Sequence, residues 1–192
     1  MSDSTTPAKT PMEILKGIGA VLEGHFQYTS GRHGALYVEK FRLLEDPQAT
    51  EALCAQIADR FRDNDIQLVV GPTTGGIVLA FATAQRLGVH DYFAEKTGDG
   101  PERSFRRGFT FAPGQRTLVV DDILTTGGSV RETIAAVRAA GGNPVGVAVI
   151  VDRTAGRTDF DLPFFACMTL DVETHPADAC PLCADGVPLV ET

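Results

Sequence analysis

The chain has 192 residues, 43% hydrophobic and 22% charged, which is the balance of one soluble globular domain. Acidic residues outnumber basic ones 25 to 17, and a chain of net charge −8 is poorly suited to coating nucleic acid or an anionic membrane, although a local basic site is compatible with it. No apolar run approaches the roughly 18 residues of a membrane span, and four cysteines are too few for a disulfide scaffold, so a reducing cytoplasm is the expected setting.

Residues 1–10 are rich in Ser, Thr and Pro, carry no apolar stretch of a secretory signal, and read as a disordered tail. The rest reads as a single domain over 11–192. Ile14, Leu15, Ile18 and Leu22 recur at helical spacing and predict a short helix over 11–25. A hairpin follows, with Phe26–Tyr28 and Ala35–Phe41 separated by Ser30-Gly31-Arg32-His33-Gly34. From residue 47 the rhythm alternates. Leu53, Ile57 and Phe61 predict a helix, Ile66–Val70 a strand closed by Gly71-Pro72, and 77–87 a second helix. Short apolar runs near Tyr92-Phe93-Ala94 and over Thr117–Val120 predict strands. Val130, Ile134 and Val137 mark a helix ended by Gly141-Gly142-Asn143-Pro144. Val145–Val151 and Phe164–Leu170 read as the closing strands. Uninterrupted apolar strands separated by helices predict an α/β fold with a parallel sheet covered on both faces. Such sheets bind ligands beyond the carboxyl ends of their strands.

The strand end at Val120 carries the chemistry. Asp121 and Asp122 follow it, then Ile123, Leu124, Thr125, Thr126, Gly127, Gly128 and Ser129 open the next helix. The glycines let backbone N–H groups approach an anion, the hydroxyls add donors, and the helix N-terminus adds its positive dipole end. The paired carboxylates accept hydrogen bonds from sugar hydroxyls or meet a hard cation. A phosphate cradle beside two acids suits a phosphorylated sugar. The plainer reading is a βα turn with Ser129 as N-cap and Glu132 completing a capping box. Neither a Walker loop nor a dinucleotide G-x-G-x-x-G is present.

Val119–Ser129 resembles the phosphoribosyl-pyrophosphate (PRPP) signature of type I phosphoribosyltransferases. Phe26-x-x-Thr29-Ser30-Gly31-Arg32, Gly71-Pro72-x-x-x-Gly76 and Val151-Asp152-Arg153 resemble the orotate phosphoribosyltransferase branch in order and spacing. The tail Cys180-Pro181-Leu182-Cys183 with Gly186-Val187-Pro188 is similar to one bacterial group of it. This resemblance implies a type I phosphoribosyltransferase fold, a core over about 46–163 and a small hood from about 11–45 and 164–192. It implies transfer of the phosphoribosyl group of PRPP to orotate, giving orotidine 5′-monophosphate and pyrophosphate, with Mg2+, in pyrimidine synthesis.

By the same resemblance Asp121 and Asp122 hold ribose hydroxyls, and Asp122 with Lys96 forms the catalytic pair. The segment from Ile123 to Ser129 belongs to the PRPP site, and Thr125 to Ser129 cradle the 5′-phosphate. Thr125, Arg153, Tyr37 and Val38 face orotate. Thr73, Thr74, Gly75 and Gly76 hold pyrophosphate, with Lys96. Thr74 and Gly75 stand where enteric-type members carry Tyr-Lys, Thr29 where they carry lysine, and Glu95 where they carry arginine. The 97–108 loop, with Arg103, Arg106 and Arg107, implies closure over a neighbouring subunit's site in a homodimer. Cys180-x-x-Cys183 is half of a zinc pattern; Cys167 and His175 are near in sequence, but the spacing fits no template, and reduced structural thiols without metal are the expectation. Two rival functions are a purine-base phosphoribosyltransferase and a PRPP-sensing regulator that binds nucleic acid. The acidic charge and lack of a nucleic-acid-binding appendage weigh against the latter.

Overall fold

The computed structural model describes residues 9–98 and 100–192, so most of the 1–10 tail lies outside the described residues. Thr10 lies within them and is ordered by its neighbours. It caps α1 (Pro11–Gly17) in a capping box with Glu13. The predicted 11–25 helix stops at Gly17. Gly19, with a φ of 70°, reverses the chain, and Val21–Gln27 becomes strand β1. Leu22 therefore sits on a strand and is 39% exposed.

β2 (His33–Val38) pairs antiparallel with β1, as the hairpin reading expects. It stops at Val38, because Glu39 accepts the Phe41 N–H and caps the short α2 (Lys40–Leu44). The order continues with α3 (Pro47–Phe61), β3 (Leu68–Pro72), α4 (Gly75–Leu87), β4 (His90–Lys96), β5 (Arg103–Ser104) and β6 (Arg116–Leu124). Then come α5 (Gly128–Ala139), β7 (Asn143–Asp152), β8 (Phe164–Thr169), β9 (Thr174–His175), α6 (Pro181–Ala184) and β10 (Leu189–Glu191).

Two sheets form. The larger has the order β5-β4-β3-β6-β7-β8, parallel except for the β4–β5 edge. Successive side chains of β6 serve opposite faces. Leu118 and Val120 pack with α3 and α4 through Leu53, Ile57, Phe61 and Leu79. Val119 packs on the other face with Val130, Ile134 and Val137 of α5. The smaller sheet, β10-β1-β2-β9, joins both ends of the chain, and β9 and β10 are too short to show a periodic signal in the sequence. Among the described residues no helix is long and apolar enough to cross a membrane.

Strand order places the functional crevice. The chain leaves β3 toward β4 on one side, while it leaves β6 toward β7 on the other. β3 and β6 are neighbours, so the space beyond their carboxyl ends is the switch point of the sheet, where no crossover covers it.

Candidate active site

A cavity of about 350 Å³ opens at that switch point. Its lining comes from Thr29, Tyr37, Val38 and Lys40 on the smaller-sheet side. The larger sheet supplies Pro72 to Gly75 after β3, then Asp121, Asp122, Ile123, Thr125, Ser129 and Arg153. Residues from four separate stretches of sequence thus face one space.

The two acids are buried, Asp121 at 7% exposure and Asp122 at 6%. Asp121 accepts the Asp122 backbone N–H at 2.9 Å, and Asp122 accepts the Ile123 N–H at 2.7 Å. The outer oxygen of Asp122 meets Lys40 Nζ at 3.2 Å. Burial, then the neighbouring Asp122 charge, pushes the Asp121 carboxyl up to about 7, against the pull of the Asp122 N–H, Lys40 and Arg103. Lys40 escaped the sequence reading. The available signal was its position two residues beyond Tyr37-Val38, at the first turn of a helix too short to show periodicity.

The folded value of Asp121 lies above the unfolded value of about 3.9, so between those values the native state binds the extra proton. Stability on this account falls as pH rises from about 4 to about 7 and is level above. Asp121→Asn is therefore expected to raise Tm at pH 8, by an effect on the order of a few kcal/mol, with the gain vanishing near pH 4. Paired thermal melts of the two proteins across that range check it; a pH-independent difference would refute the burial account.

Both helix N-termini that border the cavity lack a side-chain cap. Thr74 precedes α4 and Gly127, at a φ of 81°, precedes α5. Their first-turn N–H groups are available to an anion. The capping box read for Ser129 and Glu132 does not form, because Glu132 turns to Arg103 at 3.0 Å. Thr125, Thr126 and Ser129 are exposed, with Thr125 and Ser129 on the cavity wall. Leu124 is a correction: its side chain is 1% exposed in the core, and its carbonyl accepts the Arg153 N–H at 2.8 Å. Only its backbone stands at the turn.

The β3 turn is held tight by its glycines. A Cβ on Gly75 would lie 2.0 Å from Asp122 Oδ2, and one on Gly71 would lie 2.1 Å from the Gly76 carbonyl oxygen. Gly76 therefore shapes the turn, while Thr73, Thr74 and Gly75 line the cavity. The peptide between Thr73 and Thr74 is cis.

In the same lining, the Arg153 guanidinium lies 4.4 Å from the Tyr28 ring centroid. The turn that carries it is pinned by Asp152, whose carboxylate accepts Thr154 N–H and hydroxyl at 2.7 Å each and Gly156 N–H at 3.0 Å. Tyr37 packs on Phe26 with ring centroids 5.6 Å apart, and Val38 is 4% exposed.

The loop arginines depart from expectation. Arg103 and Arg107 have partners in their own chain, because β5 pairs back on β4 in the register Lys96↔Arg103. Arg103, 5% exposed in its side chain, holds Glu132 and reaches Thr73 Oγ1 and the Ala94 carbonyl at 3.3 Å each. Arg107 holds Glu95 at 2.7 and 3.1 Å, and that bond keeps the Glu95 carboxyl below its ordinary range. Arg106 is exposed. Lys96 ends β4 in solvent, outside the cavity lining.

The cysteine reading also changes. Cys167 lies against the core with its thiol 3.5 Å from the Leu53 carbonyl oxygen, and burial pushes it up to about 12. His175 stands beside Glu173. The side chains that meet Cys180 and Cys183 are His25 and His33.

Residues 42–179 match the family model described as phosphoribosyl transferase domain. The chain is 42% identical over 180 residues to the orotate phosphoribosyltransferase of Desulforamulus reducens, covering 94% of this chain and 93% of the relative. It is 44% identical over 180 residues to that of a Thermus thermophilus strain, covering 94% and 98%. The crystal structure of Mycobacterium tuberculosis H37Rv orotate phosphoribosyltransferase superposes with a TM-score of 0.69 at 28% identity, over 83% of this chain and 96% of that one. Buried paired acids, two uncapped helix N-termini and an arginine across one switch-point cavity agree with those relationships: the chain belongs to the phosphoribosyltransferase family, in its orotate phosphoribosyltransferase branch.

Proposed function

We propose that this protein transfers the 5-phosphoribosyl group of PRPP to orotate, releasing pyrophosphate, as a step of pyrimidine nucleotide synthesis in the cytoplasm. The observation that carries the reading is that Arg153 lines the same cavity as the Asp121–Asp122 pair. A planar cation suits the orotate carboxylate, and a purine base has no carboxylate to meet it.

A ring nitrogen of orotate bonds to the anomeric carbon as the bond to the diphosphate breaks, through a loose, cationic sugar, and the proton of that nitrogen passes to solvent or to the departing diphosphate. Asp121 and Asp122 hold the ribose hydroxyls and stabilise positive charge on the ring. The first turn of α5, with Thr125 and Ser129, receives the 5′-phosphate. Thr73 to Gly75 at the start of α4 receive the diphosphate, with Arg103 bracing Thr73. Tyr37 and Val38 cover the base and exclude water. Lys40 neutralises Asp122 before substrate enters and adds positive charge to the cavity wall.

The donor set fits magnesium: two carboxylates give hard oxygens, and the raised Asp121 value marks a buried acid that a cation would relieve. Bound among Asp121, Asp122 and the substrate oxygens, magnesium would supply charge neutralisation for the departing diphosphate. The direct test follows orotate absorbance with PRPP and magnesium, against adenine, hypoxanthine and uracil. Consumption of orotate alone is expected; turnover of a purine instead would overturn the reading.

A homodimer is proposed from the exposed apolar face formed by Val78 and Phe81 on α4 and by Phe41, at 40%, 58% and 57% exposure. Sharing of sites rests on Arg106, an exposed arginine of the 97–108 loop. Mixing an Asp121→Ala, Asp122→Ala variant with Arg106→Ala, under conditions of subunit exchange, is expected to restore up to about a quarter of wild-type activity. Random pairing makes half the dimers mixed, each with one intact site of two. No recovery despite proven exchange would mean that the loop serves its own subunit.

A further inference from the structure

In the smaller sheet, away from the acids of the cavity, four ligand-type side chains converge. His25 comes from β1, His33 from β2, Cys180 from the residue before α6, and Cys183 from within α6. Their ligand atoms all lie within 4.8 Å of one another. His25 Nε2 is 3.0 Å from His33 Nδ1, 3.5 Å from Cys180 Sγ and 3.7 Å from Cys183 Sγ. Cys183 Sγ is 3.3 Å from His33 Nδ1. Both cysteines are free thiols, and His25, His33 and Cys180 are buried at 2%, 4% and 5% exposure.

From these residues we infer a structural zinc(II) site of the Cys2His2 type, held by His25, His33, Cys180 and Cys183. Zinc bonds of about 2.0–2.1 Å to nitrogen and about 2.3 Å to sulfur give tetrahedral edges of roughly 3.3 Å between nitrogens and 3.6 Å between nitrogen and sulfur. The four separations given above match those edges within a few tenths of an ångström, and the whole set lies within 4.8 Å. Hydrogen bonding of His25 fixes which nitrogen is the ligand. His25 Nδ1 lies 2.8 Å from the Val187 carbonyl oxygen and must donate to it, which leaves the Nε2 lone pair bare and aimed into the cluster. One in-plane lone pair accepts one good hydrogen bond, yet three donors crowd it. A cation at the centre satisfies all four groups at once, with both thiols as thiolates.

Two thiolates and two imidazoles form a soft, closed set with no open position, which favours zinc in a structural role over magnesium or a catalytic metal. The site also has mechanical sense. His33 and Cys183 lie 150 residues apart, and the metal would fasten the C-terminal segment to the β1–β2 hairpin. β10 runs alongside β1 from His25↔Leu189, three residues shared in register. β2 leads from His33 to Tyr37 and Val38 on the cavity wall. The inference is independent of the reaction assigned above and stands or falls on metal binding.

The test is elemental analysis of the full-length protein purified under reducing conditions and freed of loose metal. One zinc per chain is expected. Cobalt(II) exchange should give the visible absorption of a tetrahedral thiolate site. Cys183→Ser alters an exposed position and is expected to lower zinc content or affinity by about tenfold or more, on the scale seen when even supporting groups of a zinc ligand are removed. His33→Ala should do the same. Failure of the reduced wild-type protein to take up zinc, a Cys180–Cys183 disulfide in its place, or full zinc retention by both variants would each overturn the inference.

Discussion

Asp122→Asn is expected to fold and to lose about 10²–10³-fold in kcat, the scale of removing one preorganised electrostatic contact. The side chain sits where β6 ends, with one oxygen on the Ile123 N–H at 2.7 Å and the other 3.2 Å from Lys40. An amide retains the shape and one acceptor. It carries no charge for a cationic sugar, and its NH2 group would face the Lys40 ammonium. Space for a compensating shift is absent, because Gly75 is already so close that a Cβ there would lie 2.0 Å from Asp122 Oδ2. Steady-state kinetics at saturating PRPP and orotate, beside circular dichroism, measures the effect. A folded variant with full activity would refute the ribose assignment.

Arg153→Ala should raise the KM for orotate by roughly 30-fold or more, with little change in the KM for PRPP. Truncating a desolvated Arg–carboxylate contact costs about 2–5 kcal/mol. The guanidinium lies 4.4 Å from the Tyr28 ring centroid before any ligand arrives, and the Arg153 backbone N–H, bonded to the Leu124 carbonyl, fixes the main chain that carries it. Little ordering remains to oppose binding. Lysine at this position should not rescue, since an ammonium offers neither the fork nor the stacked plane. Kinetics with each substrate varied separately decides it, and equal effects on both would sink the orotate role.

Local pattern was enough for much of this molecule. Uninterrupted apolar runs such as Val147–Val151 occur where both faces of a strand are covered, so the parallel sheet and its flanking helices were legible one residue at a time. Asp121-Asp122 followed by a hydroxyl- and glycine-rich turn was legible for the same reason: its chemistry and its backbone geometry lie within nine consecutive residues. The helix read through Leu22 failed because apolar spacing persisted past Gly17 and Gly19, where backbone conformation, not periodicity, ended it.

Tertiary structure alone decided what meets what. Strand order made β3 and β6 neighbours, and only then did Gly75 come against Asp122 and the starts of α4 and α5 border one cavity. Lys40 reached Asp122 from 82 positions away, and Arg103 found Glu132 and Thr73 through a two-residue strand with no periodic signal. The pairing of His25 and His33 with Cys180 and Cys183 depends on both chain ends entering one small sheet. Such contacts arise from register and packing between distant segments. A sequence records the burial and backbone preference of each residue, but not the partner that packing will bring to it.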